Sequence, residues 1–136
     1  MPTELKTQSV LRELPLIREF LQTQLSGMDH PNLTIPVIDA VILATIEAAS
    51  NVMKHAYADV TDRTMLIRIV QQDETLSIEI LHHGDRSVPD QPADPDFSGL
   101  SEDGFGLFII HELMDTVTYS RTAPNWQSIL LIKKLV

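Results

Sequence analysis

The stretch that most limits the fold of this chain is a long apolar segment, from about Pro36 to Tyr57, with the period of a helix. Within it, Glu47, Asn51 and His55 are spaced four residues apart. A step of four advances about 40° beyond a full helical turn, so the three side chains share one face. Apolar residues fill most of the other positions, which predicts a core helix with little surface in water.

Two interpretations of this polar face stay open. A carboxylate, an amide and an imidazole on a mostly buried helix need polar partners, which solvent or the next element could supply. Alternatively, the face belongs to a magnesium–nucleotide site, with Asn51 as an oxygen ligand of Mg²⁺ and Glu47 as a base that takes a proton from an attacking hydroxyl.

Length and composition exclude several classes of protein. The 136 residues suffice for one domain with one core, and 43% of them are apolar, as in globular proteins. There are no cysteines, so disulfides and cysteine metal sites are excluded. The net charge of −9 argues against general nucleic-acid binding. Neither a signal pattern nor a membrane-length apolar run is recognised, so we expect a cytoplasmic protein with no membrane association.

The periodicities predict an alternation of helices and strands. The predicted elements are an edge strand near 6–10, a helix over 11–25, the central helix over 36–57, an antiparallel strand pair over about 65–81, a helix over 107–114, and closing strands over 116–121 and 126–136. From His82 to Asp103 no period is present. A loop of this length in a small domain is usually functional, so a lid is expected at about 82–103.

Two glycine-containing segments flank this loop. Ile78 to Gly84 is a strand that stops at a glycine, where backbone can approach a ligand. Taken alone, this segment is better explained as a plain strand end with two exposed histidines. The adjacent His82 and His83 should point to opposite faces, which makes them a poor metal pair. After the loop, Gly104-Phe105-Gly106 opens an apolar helix, and unpaired N–H groups at such a start can face phosphate oxygens.

Together these segments resemble a known family. Glu-Ala-x-x-Asn-x-x-x-His-Ala-Tyr, at 47–57, looks like the N box of the GHKL ATPases, and His55-Ala56-Tyr57 is similar to the anti-sigma-factor serine/threonine kinases. The run from Gly104 to Ile110 looks like the second glycine box of those kinases, and 129–135 looks like their last strand. The resemblance covers about residues 11 to 135, with the segments in the family's order.

The resemblance implies an α/β (α+β) fold, a two-layer sandwich of the Bergerat type with helices on one face of a mostly antiparallel sheet. It implies that Glu47 activates a serine on an anti-anti-sigma partner of the STAS type, with ATP and Mg²⁺ as cofactors and Asn51 as the metal ligand. A homodimer that sequesters a sigma factor or similar client is also implied. The residues assigned to the nucleotide are Asn51, His55, His82, Gly84, Arg86, Gly104, Phe105, Gly106, Leu107 and Ser128.

One departure from the family pattern sets up a second hypothesis. The family's first glycine box is Asp-x-Gly, whose aspartate accepts a hydrogen bond from the adenine amino group, and here His82 holds that place. Weaker ATP binding, poor discrimination against GTP and loss of affinity below about pH 6.5 are therefore expected. The alternative to the kinase is a regulatory binding module that kept the fold and binds nucleotide poorly. A detached histidine-kinase catalytic domain is less favoured, because the chain has no room for a phosphoacceptor helix pair.

Overall fold

The computed structural model describes residues 3–86 and 102–136, with side chains in the second range described from Phe105 onward. The predicted lid segment falls largely on 87–101, outside the described residues. The elements in chain order are β1 (Thr3–Gln8), a 3₁₀ turn (Leu11–Glu13), α1 (Leu14–Ser26), α2 (Ile35–His55), β2 (Thr64–Gln72), β3 (Thr75–His82), α3 (Glu102–Leu113), β4 (Thr116–Ala123) and β5 (Trp126–Lys134).

The five strands form one antiparallel sheet in the order β1-β2-β3-β5-β4. β1 is an edge strand, as predicted, although it begins at Thr3 rather than near Lys6. The two-residue turn between β2 and β3 places Asp73 at φ 53°, a conformation that aspartate tolerates better than most residues. Placing β5 beside β3 requires a crossover, and α3 lies in it.

The core lies between one face of this sheet and the helices. Ile67 and Ile69 of β2, and Ile78 and Ile80 of β3, are fully buried and alternate with residues of the other sheet face. They join one apolar cluster with the buried faces of α1, α2 and α3. The helices and the antiparallel sheet make this an α+β fold, which confirms the fold that the family resemblance implied.

α2 is the central element of the helical layer. It packs between α1 and α3, and twelve of its residues, between Ile38 and Met53, are buried. By length and composition alone this helix could cross a membrane, although no membrane-length apolar run was recognised in the sequence. In the fold, 61% of its most apolar window is buried. Its apolar character is explained by its position in the core.

The start of α3 differs from the prediction. The glycines were expected to open the helix, but α3 begins at Glu102. Gly104 is therefore its third residue and Gly106 its fifth, so the N–H of Gly106 lies beyond the first four, which have no acceptor within a helix. Ile109, which lies in the apolar run predicted as this helix, is only half-buried.

Candidate functional site

The polar face of α2 opens into a cleft of about 700 Å³. Glu47, Ser50, Asn51 and Lys54 form its floor, and α3 forms one wall with Phe105, Gly106 and Ile109. Leu11, Leu14 and Ile46 add apolar lining. The cleft thus combines a carboxylate, an amide and an ammonium group with apolar walls, the usual make-up of a small-molecule site.

Gly106 brings α3 close to the polar face of α2. A Cβ built at Gly106 would lie 2.8 Å from Oε2 of Glu47 and 3.7 Å from Oδ1 of Asn51. Any larger residue would have to displace the carboxylate. The sequence predicted Glu47 and Gly106 as site residues, and the structure places them next to each other. The role of Gly106 differs from the prediction: it allows α3 to approach α2 closely and does not lie at the free end of the helix.

The Asn51 amide is suited to a ligand. Asn51 is 4% exposed and lines the cleft, and among the described residues its side chain has no hydrogen-bond partner. Buried amides are normally hydrogen-bonded, so this amide points to a partner beyond the described residues. With the Glu47 carboxylate beside it, the available donors are hard oxygens, which fit Mg²⁺ and its preference for few protein ligands.

Lys54 is a site residue that was missed from the sequence. It is exposed, and its side chain lines the same cleft as Glu47 and Asn51. It follows Asn51 by three residues and Glu47 by seven, so the helical period that grouped the other polar residues also predicts its position. It adds a positive charge beside the two oxygen donors.

His82 lies at the end of β3, on the sheet face that meets the helices. It continues the inward alternation of Ile78 and Ile80, is 1% exposed, and its ring lies 6.3 Å from that of Tyr57 at the end of α2. Nδ1 accepts a hydrogen bond of 3.0 Å from the Gly84 N–H. Burial, with a smaller contribution from the nearby His83, lowers the pKa of His82 to about 4. His82 is therefore neutral at pH 6.5, and the expected fall in affinity through that pH is wrong.

The segment after His82 is held tightly against the end of α2. A Cβ at Gly84 would lie 2.5 Å from Cβ of Ala56 and 2.7 Å from its carbonyl oxygen, so only glycine fits. The Arg86 N–H donates to the same carbonyl, at 2.8 Å. The two oxygens of Asp85 accept from the N–H groups of Ala58 and Asp59, at 2.7 and 3.0 Å.

Other predicted residues lie at different places. Ser128 is on the outer sheet face, where its hydroxyl donates to Glu79 at 2.8 Å, so it is turned away from the helices and its assignment to the nucleotide is not supported. Leu107 is buried in the core. His55 follows Asn51 by one turn and is half-buried outside the lining of the cleft. Arg86 is exposed beside Ala56, also outside that lining.

The two adjacent histidines separate as predicted. His83 lies at the sheet end away from the cleft, with its ring centroid 3.7 Å from that of Trp126 and its Nδ1 2.5 Å from the Asn125 carbonyl oxygen. Its Nε2 lies 3.5 Å from Asp62. Together with the burial of His82, this arrangement means that the two rings do not converge on one point.

Comparisons with known proteins agree with this geometry. Residues 8–133 match the histidine kinase-like ATPase domain family. Among solved structures, the RsbU and RsbW domains of Rv1364c from Mycobacterium tuberculosis are similar, with a TM-score of 0.67 and 14% identity over 98% of this chain and 32% of that one. The histidine kinase AdeS of Acinetobacter baumannii gives a TM-score of 0.49 and 11% identity over 98% of this chain and 68% of that one.

A search of curated proteins gives no match. At 14% identity the likeness to the Mycobacterium structure establishes the fold alone, and the chain spans about a third of that structure. The family match, in contrast, covers almost the whole chain and includes both the α2 face and the Gly106 segment. With the N-box residues and the glycine box meeting at one cleft, the chain belongs to the histidine kinase-like ATPase domain family, the GHKL superfamily.

Proposed function

We propose that this protein is a serine/threonine-protein kinase of the anti-sigma-factor type, which binds a magnesium–nucleoside triphosphate and phosphorylates a serine on an anti-anti-sigma partner with a STAS domain. The observation that carries the proposal is the contact of Gly106 with Glu47 and Asn51 at one cleft. It puts a carboxylate base, and an amide with no partner among the described residues, beside α3 in one cleft. Family membership implies ATP as the nucleotide.

In the proposed reaction Glu47 accepts the proton of the serine hydroxyl. The serine oxygen forms a bond to the γ-phosphorus as the bond from that phosphorus to the β–γ bridging oxygen breaks, which leaves a nucleoside diphosphate and a phosphoserine. Asn51 would hold Mg²⁺, which would supply positive charge for the phosphate oxygens. Lys54 faces the same cleft and provides a second positive charge, the role that a lysine or arginine commonly has in phosphoryl transfer.

The partners follow from the family type rather than from a contact. A homodimer, a STAS-domain substrate and a sigma factor or similar client are proposed, in the cytoplasm, with no nucleic-acid or membrane partner. The likeness to the Mycobacterium structure, which contains an RsbW domain, supports the fold on which this proposal rests. The net charge of −9 would steer a basic client surface toward the protein. Light scattering at micromolar concentration tests the dimer, and a monomer there contradicts it.

The second candidate is a regulatory binding module with the same fold and no efficient transfer. The neutral, buried His82 in place of a charged acceptor favours it. Under this alternative the cleft still exists, but nucleotide binds weakly and the partner is sequestered without being phosphorylated.

One experiment separates the two candidates. Wild type, Glu47→Gln and Asn51→Ala are incubated with γ-labelled nucleotide, Mg²⁺ and extract of the native cell, and nucleotide binding is measured in parallel by calorimetry. The kinase predicts a labelled phosphoserine with wild type alone, near-normal binding by Glu47→Gln, and weaker magnesium-dependent binding by Asn51→Ala. Equal labelling by all three proteins contradicts the assigned roles, and binding without any labelling favours the module.

A further inference from the structure

The edge strand β1 contains a sequence that is complementary to itself. Glu4 and Lys6 lie on either side of Leu5, and Thr3 and Thr7 lie one position further out on each side. β1 is paired on one side only, with β2. Because the strands of an antiparallel pair run in opposite directions, a second copy of this segment would match it residue for residue.

The free edge of β1 is suited to another strand. Alternate residues of an edge strand direct their backbone N–H and C=O groups away from the sheet. In the described part of the chain, residues 3–7 make no backbone hydrogen bond outside the pairing with β2. Leu5 is half-buried, whereas Ile67, its partner in β2, is fully buried. An added strand would therefore pair the free backbone groups and cover the open side of Leu5.

Only a pairing centred on Leu5 matches the charges. When Leu5 faces Leu5 of the other copy, Glu4 of each copy faces Lys6 of the other, and Thr3 faces Thr7. Opposite charges at facing positions stabilise an antiparallel pair. Moving the centre to Glu4 or to Lys6 places two like charges opposite each other, which is destabilising. The sequence of β1 thus specifies one register for a strand of its own kind.

Both charged side chains are available for these pairs. Glu4 and Lys6 are exposed. Glu4 accepts a hydrogen bond from Nε of Arg68 through Oε2, at 2.8 Å, and that bond leaves its Oε1 unused. Among the described residues, Lys6 has no ion pair.

The charges also favour a second copy over an unrelated strand. Charged residues on an edge strand usually oppose pairing, and the net charge of −9 makes two copies repel at long range. Contact between copies therefore requires local attraction, which the two pairs of Glu4 with Lys6 supply. The other sheet edge has no equivalent match, because Arg121 is the only charged residue of β4.

We propose that two copies of this protein join through β1 into one continuous antiparallel sheet, with a two-fold axis at Leu5. The inference rests on the homodimer of the proposed function, to which it assigns an interface.

The first test measures the dissociation constant of the dimer by sedimentation equilibrium. Wild type should dimerise, and Lys6→Glu should raise the dissociation constant about tenfold or more, because two attractive pairs become repulsive. Arg121→Glu is the control, since it changes the net charge equally at the opposite edge of the sheet, and it should dimerise like wild type. Equal dissociation constants for wild type and Lys6→Glu overturn the inference, as does an equal loss in Arg121→Glu.

The second test exchanges the charges. Glu4→Lys should also weaken the dimer, but an equal mixture of Glu4→Lys and Lys6→Glu should form a heterodimer, because one strand then carries two positive charges and the other two negative charges. The double variant Glu4→Lys/Lys6→Glu is again self-complementary and should dimerise like wild type. With folding confirmed by circular dichroism, failure of the mixture and of the double variant to associate overturns the inference. Lys6→Glu keeps the contact of Glu4 with Arg68, so the first test decides the question if Glu4→Lys does not fold.

The outcomes distinguish this inference from the proposed function. If wild type and Lys6→Glu dimerise equally, the inference alone fails and the proposed homodimer stands. If wild type is a monomer at micromolar concentration, the proposed homodimer fails and the inference fails with it.

Discussion

Gly106 of α3 approaches Glu47 of α2 so closely that a Cβ at position 106 would lie 2.8 Å from the carboxylate oxygen Oε2. Glycine inside a helix normally costs about 1 kcal/mol relative to alanine, so this position keeps a residue that its own helix disfavours. The close approach explains why glycine is present, because a residue without a side chain leaves the Glu47 carboxylate in the cleft.

Gly106→Ala is therefore expected to separate activity from stability. The methyl group displaces the flexible end of Glu47, and a shift of about 1 Å in a catalytic group can lower a rate by about a hundredfold. The melting temperature should stay constant or rise, because alanine is the better helix former. Gly27→Ala is the control, since a Cβ there meets its nearest atom at 3.5 Å. A variant at 106 with the wild-type rate of transfer would show that Glu47 is not the base.

Lys54→Met should weaken nucleotide binding and phosphoryl transfer about tenfold or more, because an ion pair or hydrogen bond to a charged group is lost at the phosphates. Lys54 lines the cleft, whereas Arg86 does not. Transfer assays on Lys54→Met and Arg86→Met compare the two cations directly. Lys134→Met, exposed at the end of β5, serves as the control. A larger effect at Arg86 than at Lys54 would contradict this assignment.

His82 should make the protein less stable in mild acid. Its pKa is about 4 in the folded chain and about 6.5 when unfolded, so between these values the unfolded state binds more protons. Stability should then fall as the pH drops from 6.5 to 4, by roughly 3 kcal/mol in total from this group. Urea unfolding at several pH values measures the slope. His82→Asn, which does not titrate, should lose this part of the slope, and an unchanged slope contradicts the buried neutral state.

Asp85 should also lose its stabilising effect in acid, but in a lower pH range than His82. The N–H groups of Ala58 and Asp59 hold the pKa of its carboxyl below the usual 3.8. The stabilisation is therefore present above about pH 4 and is lost as the pH falls through the lowered folded value. Asp85→Asn should lower the melting temperature at pH 7, with a smaller difference near pH 2, because one of the two acceptors is lost. Asp29→Asn, in an exposed loop, is the control. If Asp85→Asn melts at the wild-type temperature at pH 7, the two hydrogen bonds to Asp85 do not stabilise the fold.

The parts of this fold that are predictable from sequence are those with a clear period. The apolar spacing in α2 and the alternation in β2 and β3 place Ile46, Ile67 and Ile78 in the core, and all three are buried. The same helical period groups Glu47 with Asn51, and extended by one turn it finds Lys54. These properties depend on geometry within one element.

What the sequence could not provide depends on contacts between elements. The start of α3 was placed too late, because the glycines are tolerated in the helix by the contact of Gly106 with Glu47. Ser128 was assigned to the site, but the register of β5 against β3 turns it toward Glu79. The proton position on His82 depends on a hydrogen bond from Gly84, two residues away in a turn that no period reveals.

The apolar helix α2 also has a consequence for synthesis of the protein. The strands that cover it, β2, β3 and β5, all follow it in the chain, and β5 ends at Lys134. At translation rates of about 5–20 residues per second, α2 leaves the ribosome on the order of 4 to 16 seconds before its cover is complete. During that interval a nascent helix of membrane-like hydropathy is exposed, so we expect chaperone capture of chains truncated before β5.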